Sequence, residues 1–382
     1  MKSKWKKVKI KEIADIIMGQ SPPSSTYNEE GKGLPFYQGV VDFGCRFVTP
    51  RVFCTEPKKV IDENYVLLSV RAPVGEVNLT KGKCAIGRGN AGLKEKRGQK
   101  LFLYYLLKYN MRKLKNSSEG TVFSSISKST IENLEIEIPK SLDEQKAIAS
   151  VLSSLDDKID LLHRQNKTLE KMAETLFRQW FVEEAKEDWE EKKLEEVCVI
   201  RNGYAFKSET YQEIGQKIIR TLNFKNGFVN TEKIVYISDE LAKFFSKYFL
   251  NRKDFLLVMV GANIGNYAVV TKDILPALQN QNMWCFKALQ PDFQFYLNYY
   301  LKQMIKEKKN IVSGSAREFF QKKVFANFII PIPENIKLRQ FNEIVEDIFS
   351  KIENNRTQIR TLEKLWDTLL PKLMSGQIRV KI

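Results

Sequence analysis

The sequence predicts an α+β protein in which two similar mixed α/β domains alternate with two long helices. Three observations lead to this fold class. The chain is an imperfect repeat of itself with a period of about 190 residues, which is too long for a solenoid and indicates a duplicated unit. Each copy contains apolar runs of strand length. Each copy also contains a long stretch without proline or glycine that has an apolar period of about 3.5 residues.

The repeat is visible as matched positions along the chain. Small insertions make the offset drift from 184 residues at the start to 193 in the long stretches. The matches are Trp5 with Trp189, Gly19 with Gly203, residues 70–75 with 260–265, Asn90 with Asn282, Pro139 with Pro333, and residues 169–171 with 362–364. They predict a first domain at 1–140, a first helix at 141–182, a linker and second domain at 183–333, and a second helix with a C-terminal tail at 334–382.

The first domain contains signals for both strands and helices. Residues 66–70 form an apolar run of strand length, and residues 101–113 are rich in Leu, Tyr and Lys, as is typical of a helix. Residues 135–138 alternate between acidic and apolar side chains, which predicts a strand. Pro139 ends that strand.

The first long helix has a narrow apolar seam. Its apolar positions alternate in steps of four and three residues, and Asn166 fills the one slot where an apolar residue is missing. This spacing, sustained over about four heptads, is typical of a coiled coil. The seam positions are Ile148, Leu152, Leu155, Ile159, Leu162, Leu169, Ala173 and Leu176.

The second domain and second helix repeat these signals. Residues 255–260 predict a strand, residues 293–308 predict a helix, and Pro333 ends the last strand. In the helix that follows, Asn355 fills the one slot where an apolar residue is missing. The seam positions are Phe341, Val345, Ile348, Ile352, Ile359, Leu362, Trp366 and Leu369.

The two seams predict that the helices pack as an antiparallel coiled coil, related by a pseudo-twofold axis. In that arrangement Asn166 lies opposite Asn355 near the middle, where an asparagine pair fixes the helix–helix register. The alternative is that each amphipathic helix only covers its own domain.

The charge of the chain is segregated with the repeat. The whole chain has 62 Lys and Arg against 46 Asp and Glu, a net charge of +16. Residues 1–140 carry +11 and residues 189–333 carry +7, whereas residues 141–188 carry −4 and residues 334–382 carry +2. This distribution predicts that the domains bind a polyanion, usually nucleic acid, and that the helices bind protein.

The chain lacks the sequence signatures of the obvious DNA-modifying enzymes. It has no GxxxxGK[ST] phosphate-binding loop and no [DN]PP[YF] tetrapeptide, so neither ATP hydrolysis nor amino-group methylation is expected. His163 is the only histidine, and the five cysteines are scattered without CxxC spacing. We therefore expect no catalytic residue, cofactor or metal in this chain, a cytoplasmic location, and no contact with a membrane.

Short motifs, repeated in order over nearly the full length, resemble those of type I restriction–modification specificity subunits. Three departures from the family pattern are Ser21 in place of threonine, Arg339 in place of glutamate, and RGN at 88–90 where the second copy has NQN. The motifs are GQSPPS at 19–24 before Tyr27, GYAFKS at 203–208 before Tyr211, NQN at 280–282, Ile138-Pro139 with Glu144-Gln145, Pro331-Ile332-Pro333 with Arg339-Gln340, and LMSGQIR at 373–379.

The resemblance implies that this chain recognises DNA and that partner subunits carry out the chemical steps. Each domain would be a target-recognition domain that binds one half of a split double-stranded DNA target. The helices would set the spacing between the halves. Two methyltransferase (M) subunits would dock on the helices with S-adenosylmethionine, and restriction/translocase (R) subunits would join with ATP and the nuclease.

Polar residues in the loops after strands and near the glycine motifs are the candidates for DNA contact, because arginine pairs with guanine, and asparagine or glutamine with adenine. The candidates in the first domain are Tyr27, Arg71, Arg88, Asn90 and Ser124. The candidates in the second domain are Lys207, Arg220, Asn263, Gln281 and Arg317. Asn90 and Asn282 are also compatible with a structural role.

Two other functions are compatible with the sequence. The chain could be a solitary sequence-specific DNA-binding protein without a methyltransferase partner. It could also be the detached specificity part of a fused restriction–methylation enzyme. Co-purification with a methyltransferase subunit, and the presence or absence of methylation by the chain alone, distinguish these alternatives.

Overall fold

A computed structural model describes residues 5–117, 125–311 and 321–381. The chain forms two compact units, Met1–Leu161 with Ile359–Ile382, and Leu162–Gln358. Both long helices, α4 (Leu142–Arg178) and α9 (Asn335–Met374), contribute to both units. None of the helices in the described part of the chain is long and apolar enough to cross a membrane.

In the described residues, the first unit contains three small sheets. A four-stranded antiparallel sheet has the order β2-β10-β7-β8, a five-stranded sheet has the order β3-β5-β4-β9-β6, and β1 pairs with β11. The elements are β1 (Trp5–Lys9), α1 (Ile10–Ile13), β2 (Ala14–Met18), β3 (Tyr27–Asn28), β4 (Leu34–Tyr37), β5 (Phe53–Cys54), β6 (Val60–Ile61), β7 (Tyr65–Ser69), β8 (Val77–Leu79), β9 (Cys84–Ile86), β10 (Asn90–Glu95), α2 (Lys100–Ser117), α3 (Lys128–Glu132) and β11 (Glu135–Pro139).

The second unit repeats the central part of this topology, although its two larger sheets have six and three strands where those of the first unit have four and five. Its sheets have the orders β13-β21-β18-β19-β16-β15, β17-β14-β20 and β12-β22. The parallel pair of β4 with β9 has its counterpart in the parallel pair of β14 with β20. The elements are β12 (Glu190–Lys193), α5 (Leu194–Val197), β13 (Cys198–Asn202), β14 (Gln216–Ile219), β15 (Phe224–Lys225), β16 (Phe228–Val229), β17 (Val235–Ile237), α6 (Asp239–Lys243), β18 (Phe255–Val258), β19 (Tyr267–Val269), β20 (Ala277–Gln279), β21 (Met283–Ala288), α7 (Gln294–Ile311), α8 (Lys322–Ala326) and β22 (Ile329–Ile332).

The core of each unit joins a sheet to a helix pair. In the first unit, Ile148 and Leu152 of α4 and Trp366 of α9 lie in one apolar cluster with strands β7 and β10 and helix α2. In the second unit, Phe177 of α4 and Phe341 of α9 lie in the equivalent cluster with α7. Each half of a long helix is therefore anchored to the domain beside it.

The two long helices contact each other within the second unit. Asn355 donates a hydrogen bond from Nδ2 to Oδ1 of Asn166 at 2.9 Å, and the rings of Phe177 and Phe341 have centroids 6.1 Å apart. The contact with the higher residue number on α4, Phe177, has the lower residue number on α9, Phe341. These segments of the two helices therefore run antiparallel. None of the predicted seam residues is exposed. The coiled-coil geometry itself stays a prediction.

The buried face of each helix is wider than the predicted seam. Ala149 and Phe349, which lie beside the seam, are buried as well. The helices therefore cover their own domains in addition to contacting each other, because an apolar stripe broader than two positions in seven can face both a partner helix and a sheet. The helix α4 ends at Arg178 and continues as a π-helical turn over Gln179–Glu183.

Candidate nucleic-acid interface

Four connections of the first domain meet at one end of its sheets. The backbone N–H of Gly19 donates to the carbonyl of Asn90 at 2.9 Å, that of Val70 to Gly89 at 2.8 Å, and that of Gly87 to Tyr37 at 2.9 Å. These bonds tie together residues 19–23, 38–42, 70–75 and 87–90, which we call the first loop cluster.

The second domain has an equivalent arrangement. The N–H of Gln281 donates to the carbonyl of Tyr204 at 2.9 Å, that of Asn280 to Ile219 at 3.1 Å, and that of Met259 to Asn282 at 3.2 Å. We call residues 203–207, 220–223, 259–265 and 280–282 the second loop cluster.

A glycine at the same point of each cluster allows this close approach. A Cβ atom on Gly19 would lie 2.1 Å from the carbonyl oxygen of Gly87, and a Cβ atom on Gly203 would lie 1.8 Å from that of Asn280. Any side chain would force the loops apart, because real Cβ atoms do not come within 3.0 Å of such an atom. The glycines that begin the two sequence motifs therefore assemble the loop clusters.

Five of the sequence-predicted DNA contacts are exposed on these clusters. The first cluster presents Arg71 and Arg88, and the second presents Lys207, Asn263 and Gln281. The N–H of Arg88 bonds to Ser21 Oγ at 3.3 Å, so the two sequence motifs of the first domain adjoin each other. Cationic and amide side chains suited to phosphates and base edges are thus gathered on one surface of each domain.

The side chains of three other predicted contact residues are hydrogen-bonded to backbone carbonyls of their own domain. Asn90 is fully buried and donates from Nδ2 to the carbonyl of Tyr37 at 2.9 Å. Tyr27 is half-buried and donates from its hydroxyl to the carbonyl of Pro22 at 2.9 Å. Arg220 is half-buried and donates from Nη2 to the carbonyl of Lys233 at 2.6 Å. Each of these bonds stabilises a loop of the cluster.

The last two predicted contacts, Ser124 and Arg317, lie outside the residues that the structure describes. Among those it describes, no group of three His, Cys, Asp or Glu side chains is arranged to hold a metal ion.

Sequence reasoning missed an aromatic surface beside the second cluster. Tyr204 is 37% exposed, and its ring packs at a tilt against that of Phe245 with centroids 4.4 Å apart. Phe244 and Lys247 are exposed on the same segment. Tyr204 lies inside the GYAFKS motif, and this position in the motif could have indicated that it belongs to the candidate interface. The segment around Phe244 does not match any of the repeated positions identified in the first domain, so the sequence repeat gave no signal for it.

Two arginines that sequence reasoning also missed attach each domain to a helix. Arg46 is buried and donates from Nη2 to Ser153 Oγ at 3.0 Å, and its guanidinium pairs with Asp157. Arg252 donates to Ser350 Oγ at 3.1 Å and pairs with Glu353 at 2.9 Å. The two contacts lie on overlapping stretches of the helix repeat, since Asp157 is equivalent to Ser350 at the offset of 193 residues. The arginines come from different points of the two domains.

Arg252 and the neighbouring Lys253 also form ion pairs with Glu346, a second carboxylate of α9. Burial acts to raise the pKa of Glu346. Hydrogen bonds from Lys253 and Arg252 outweigh burial, so the net effect lowers the pKa of Glu346 below its ordinary value. The carboxylate stays ionised on the helix because two cations from the domain face it.

Comparison with known proteins places these features in one family. A family model described as the type I restriction modification DNA specificity domain matches residues 2–171 and 186–364. The MjaIX specificity subunit of a type I restriction enzyme from Methanocaldococcus jannaschii is 27% identical over 99% of this chain and 94% of its own. The putative MjaX specificity subunit of that organism is 44% identical, over 41% of this chain and 37% of its own.

A solved structure has the same fold. The S subunit of a type I restriction–modification system from M. genitalium superimposes with a TM-score of 0.64 over 97% of this chain and 96% of its own, at 20% identity. At that identity the likeness describes the fold, and it agrees with two mixed α/β domains alternating with long helices.

Proposed function

Since the chain belongs to the type I restriction modification DNA specificity family, we propose that it recognises a two-part sequence in double-stranded DNA. Each loop cluster contacts one half of the target. The observation that carries this proposal is the duplication of the loop cluster at equivalent strand ends, with exposed Arg, Lys, Asn or Gln side chains in both copies. Two matched surfaces on one chain suit a target with two separate halves.

The basic charge of the domains supports the same proposal. The excess of Lys and Arg lies in residues 1–140 and 189–333, where it neutralises phosphates and contributes affinity independent of sequence. The exposed side chains of the loop clusters then add discrimination at base edges.

The long helices supply the spacing between the half-sites in this proposal. Each is a single uninterrupted element, of 37 residues in α4 and 40 in α9, which corresponds to about 55–60 Å at 1.5 Å per residue. Exposed faces of these helices dock two methyltransferase (M) subunits, and restriction/translocase (R) subunits complete the assembly. The chain itself contributes recognition and no chemical step, and the assembly acts in the cytoplasm.

The test is to express the full chain with the methyltransferase subunit of the same system in a host free of other modification, and to map methylated sites by sequencing. We expect a split motif with a fixed spacer. Arg88→Gln relaxes one half only, and Gln281→Ala relaxes the other half only. Lys146→Gln, an exposed change on α4, is the matched control and leaves both halves unchanged.

The alternatives give different results. A variant of one loop cluster that alters both half-sites contradicts the assignment of one half to each domain. Sequence-specific binding by the chain alone, with no methyltransferase captured, identifies a solitary DNA-binding protein. Methylation by the purified chain alone identifies a part of a fused enzyme.

A further inference from the structure

A matched pair of short turns lies in the two loop clusters, and neither was apparent from the sequence repeat. In the first domain a 3₁₀ turn, Val40–Asp42, follows β4. In the second domain a 3₁₀ turn, Thr221–Asn223, follows β14. Because β4 and β14 are equivalent strands, the two turns occupy the same place in the two domains.

Similar hydrogen bonds hold both turns, and in each the donor is the first residue after the strand. Asp42 is buried and accepts the backbone N–H of Gln38 through Oδ2 at 2.9 Å. Asn223 is buried and accepts that of Arg220 through Oδ1 at 3.0 Å. The carbonyls of Asp42 and Asn223 also accept an N–H from the chain beyond the turn, at 2.9 and 2.7 Å. Each turn is therefore tied down on both sides.

The residue before the buried Asp or Asn is apolar and exposed in both turns. Val41 is 68% exposed and Leu222 is 51% exposed. A single exposed apolar side chain is ordinary. Its recurrence on two matched turns, each held by a buried polar residue, is not explained by packing.

Both turns lie directly beside loops that carry candidate DNA contacts. A Cβ atom on Gly89 would lie 2.3 Å from the carbonyl oxygen of Gln38, so the first turn adjoins the loop of Arg88. The N–H of Asn280 bonds to the carbonyl of Ile219, so the second turn adjoins the loop of Gln281. Arg51 Nε donates to Asp42 Oδ1 at 3.0 Å, so a cation also lies at the first turn.

We propose that Val41 and Leu222 are specificity-determining residues, each of which contacts the C5-methyl group of a thymine in one half of the target. The inference rests on the proposed function. The thymine methyl is the apolar group on the major-groove edge of the bases. An apolar side chain on a tethered turn, beside a loop that carries Arg88 or Gln281, complements a base edge that presents a methyl beside polar atoms.

The test is a coupling experiment between side chain and methyl group. The full chain in complex with its methyltransferase subunits is titrated with duplexes of the mapped target, in which one thymine at a time is replaced by uracil, so that only the methyl is removed. We expect the wild-type complex to lose about fourfold in affinity at one position in each half-site, the loss that corresponds to one buried methyl group.

The variants locate the contact. Val41→Ala is expected to bind the thymine and uracil duplexes equally at the position in the first domain's half-site, and Leu222→Ala equally at the position in the other half-site. Leu289→Ala, an exposed apolar change directly after the end of β21 that lies away from the second loop cluster, keeps both fourfold losses and serves as the control.

Three results overturn the proposal. One is a variant that keeps the full uracil penalty, which shows that its side chain and the methyl act independently. Another is a half-site without a thymine whose methyl matters to the wild-type complex. The third is a variant that weakens capture of the methyltransferase subunit with unchanged DNA preference, which assigns the turn to protein docking. If the wild-type complex prefers no half-site at all, the proposed function itself fails, and this outcome is distinct from the other three.

Discussion

Gly19 shows how a single residue controls the assembly of a loop cluster. We expect Gly19→Ala to lower the free energy of unfolding by about 1–3 kcal/mol, because the added Cβ atom would overlap the backbone of Gly87 and force the loops apart. Urea denaturation of the full chain measures this change. Gly82→Ala, where a Cβ atom would meet nothing within 4 Å, is the matched control and is expected to be neutral or slightly stabilising.

Two nearby residues of one loop have different expected roles: Asn90 stabilises the fold, and Arg88 contacts DNA. Asn90 is buried and bonded to the carbonyl of Tyr37, whereas Arg88 is exposed. We expect Asn90→Ala to cost about 1–3 kcal/mol of unfolding free energy, because it removes a buried hydrogen bond and leaves the Tyr37 carbonyl with the N–H of Gly87 as its remaining donor. Arg88→Ala is expected to leave stability unchanged and to weaken DNA binding. Equal stability of the two variants in urea would show that the Asn90 bond is not needed by the fold.

The long helices are elements whose pairing can be tested through Asn166 and Asn355. Asn355 is almost fully buried and Asn166 is half-buried. We expect Asn166→Leu to cost about 1–3 kcal/mol because buried Asn355 loses its acceptor, and Asn355→Leu to cost less because water can reach Asn166. The double substitution should recover most of the loss. A double-mutant cycle in urea measures the coupling, and strictly additive costs would show that the pair does not set the register.

The attachment of a domain to α9 has a pH dependence. The pKa of Glu346 in the folded chain lies below its ordinary value, so its stabilising contribution is present above about pH 4.5 and is lost as the pH falls through the folded pKa. We expect the difference in unfolding free energy between the wild type and Glu346→Gln to be largest near pH 7 and to shrink below pH 4.5. Glu343→Gln, an exposed change on the same helix, serves as the control. A difference that does not vary with pH would contradict the assignment.

For the whole molecule, the net charge of +16 predicts DNA binding that weakens steeply with salt. We expect Arg71→Gln and Lys207→Gln each to reduce the slope of log affinity against log salt concentration by about 1, if each side chain contacts a phosphate. Gln281→Ala is expected to change base preference with the slope unaltered. Fluorescence anisotropy over a range of salt concentrations measures the slope, and a common slope for all three variants would argue against these phosphate contacts.

The amino-acid sequence by itself determined the duplicated architecture, the long helices and the glycine motifs. Apolar periodicity reports which face of an element is buried, and proline and glycine report where elements end, so these features are local and can be recognised along the chain. The predicted helix at residues 101–113 is α2, Lys100–Ser117, and the predicted strand at 255–260 is β18, Phe255–Val258.

Only the tertiary structure decided which polar residues are exposed at the loop clusters and which ones hold them together. Asn90, Arg88 and Arg71 are all polar loop or strand-end residues in sequence, but only Asn90 is buried. The Arg46 and Arg252 contacts and the turns of Val41 and Leu222 join residues from separate elements, and no local pattern records such a contact. Burial and hydrogen bonding between distant segments depend on how sheets and helices pack, which is why these features required the folded chain.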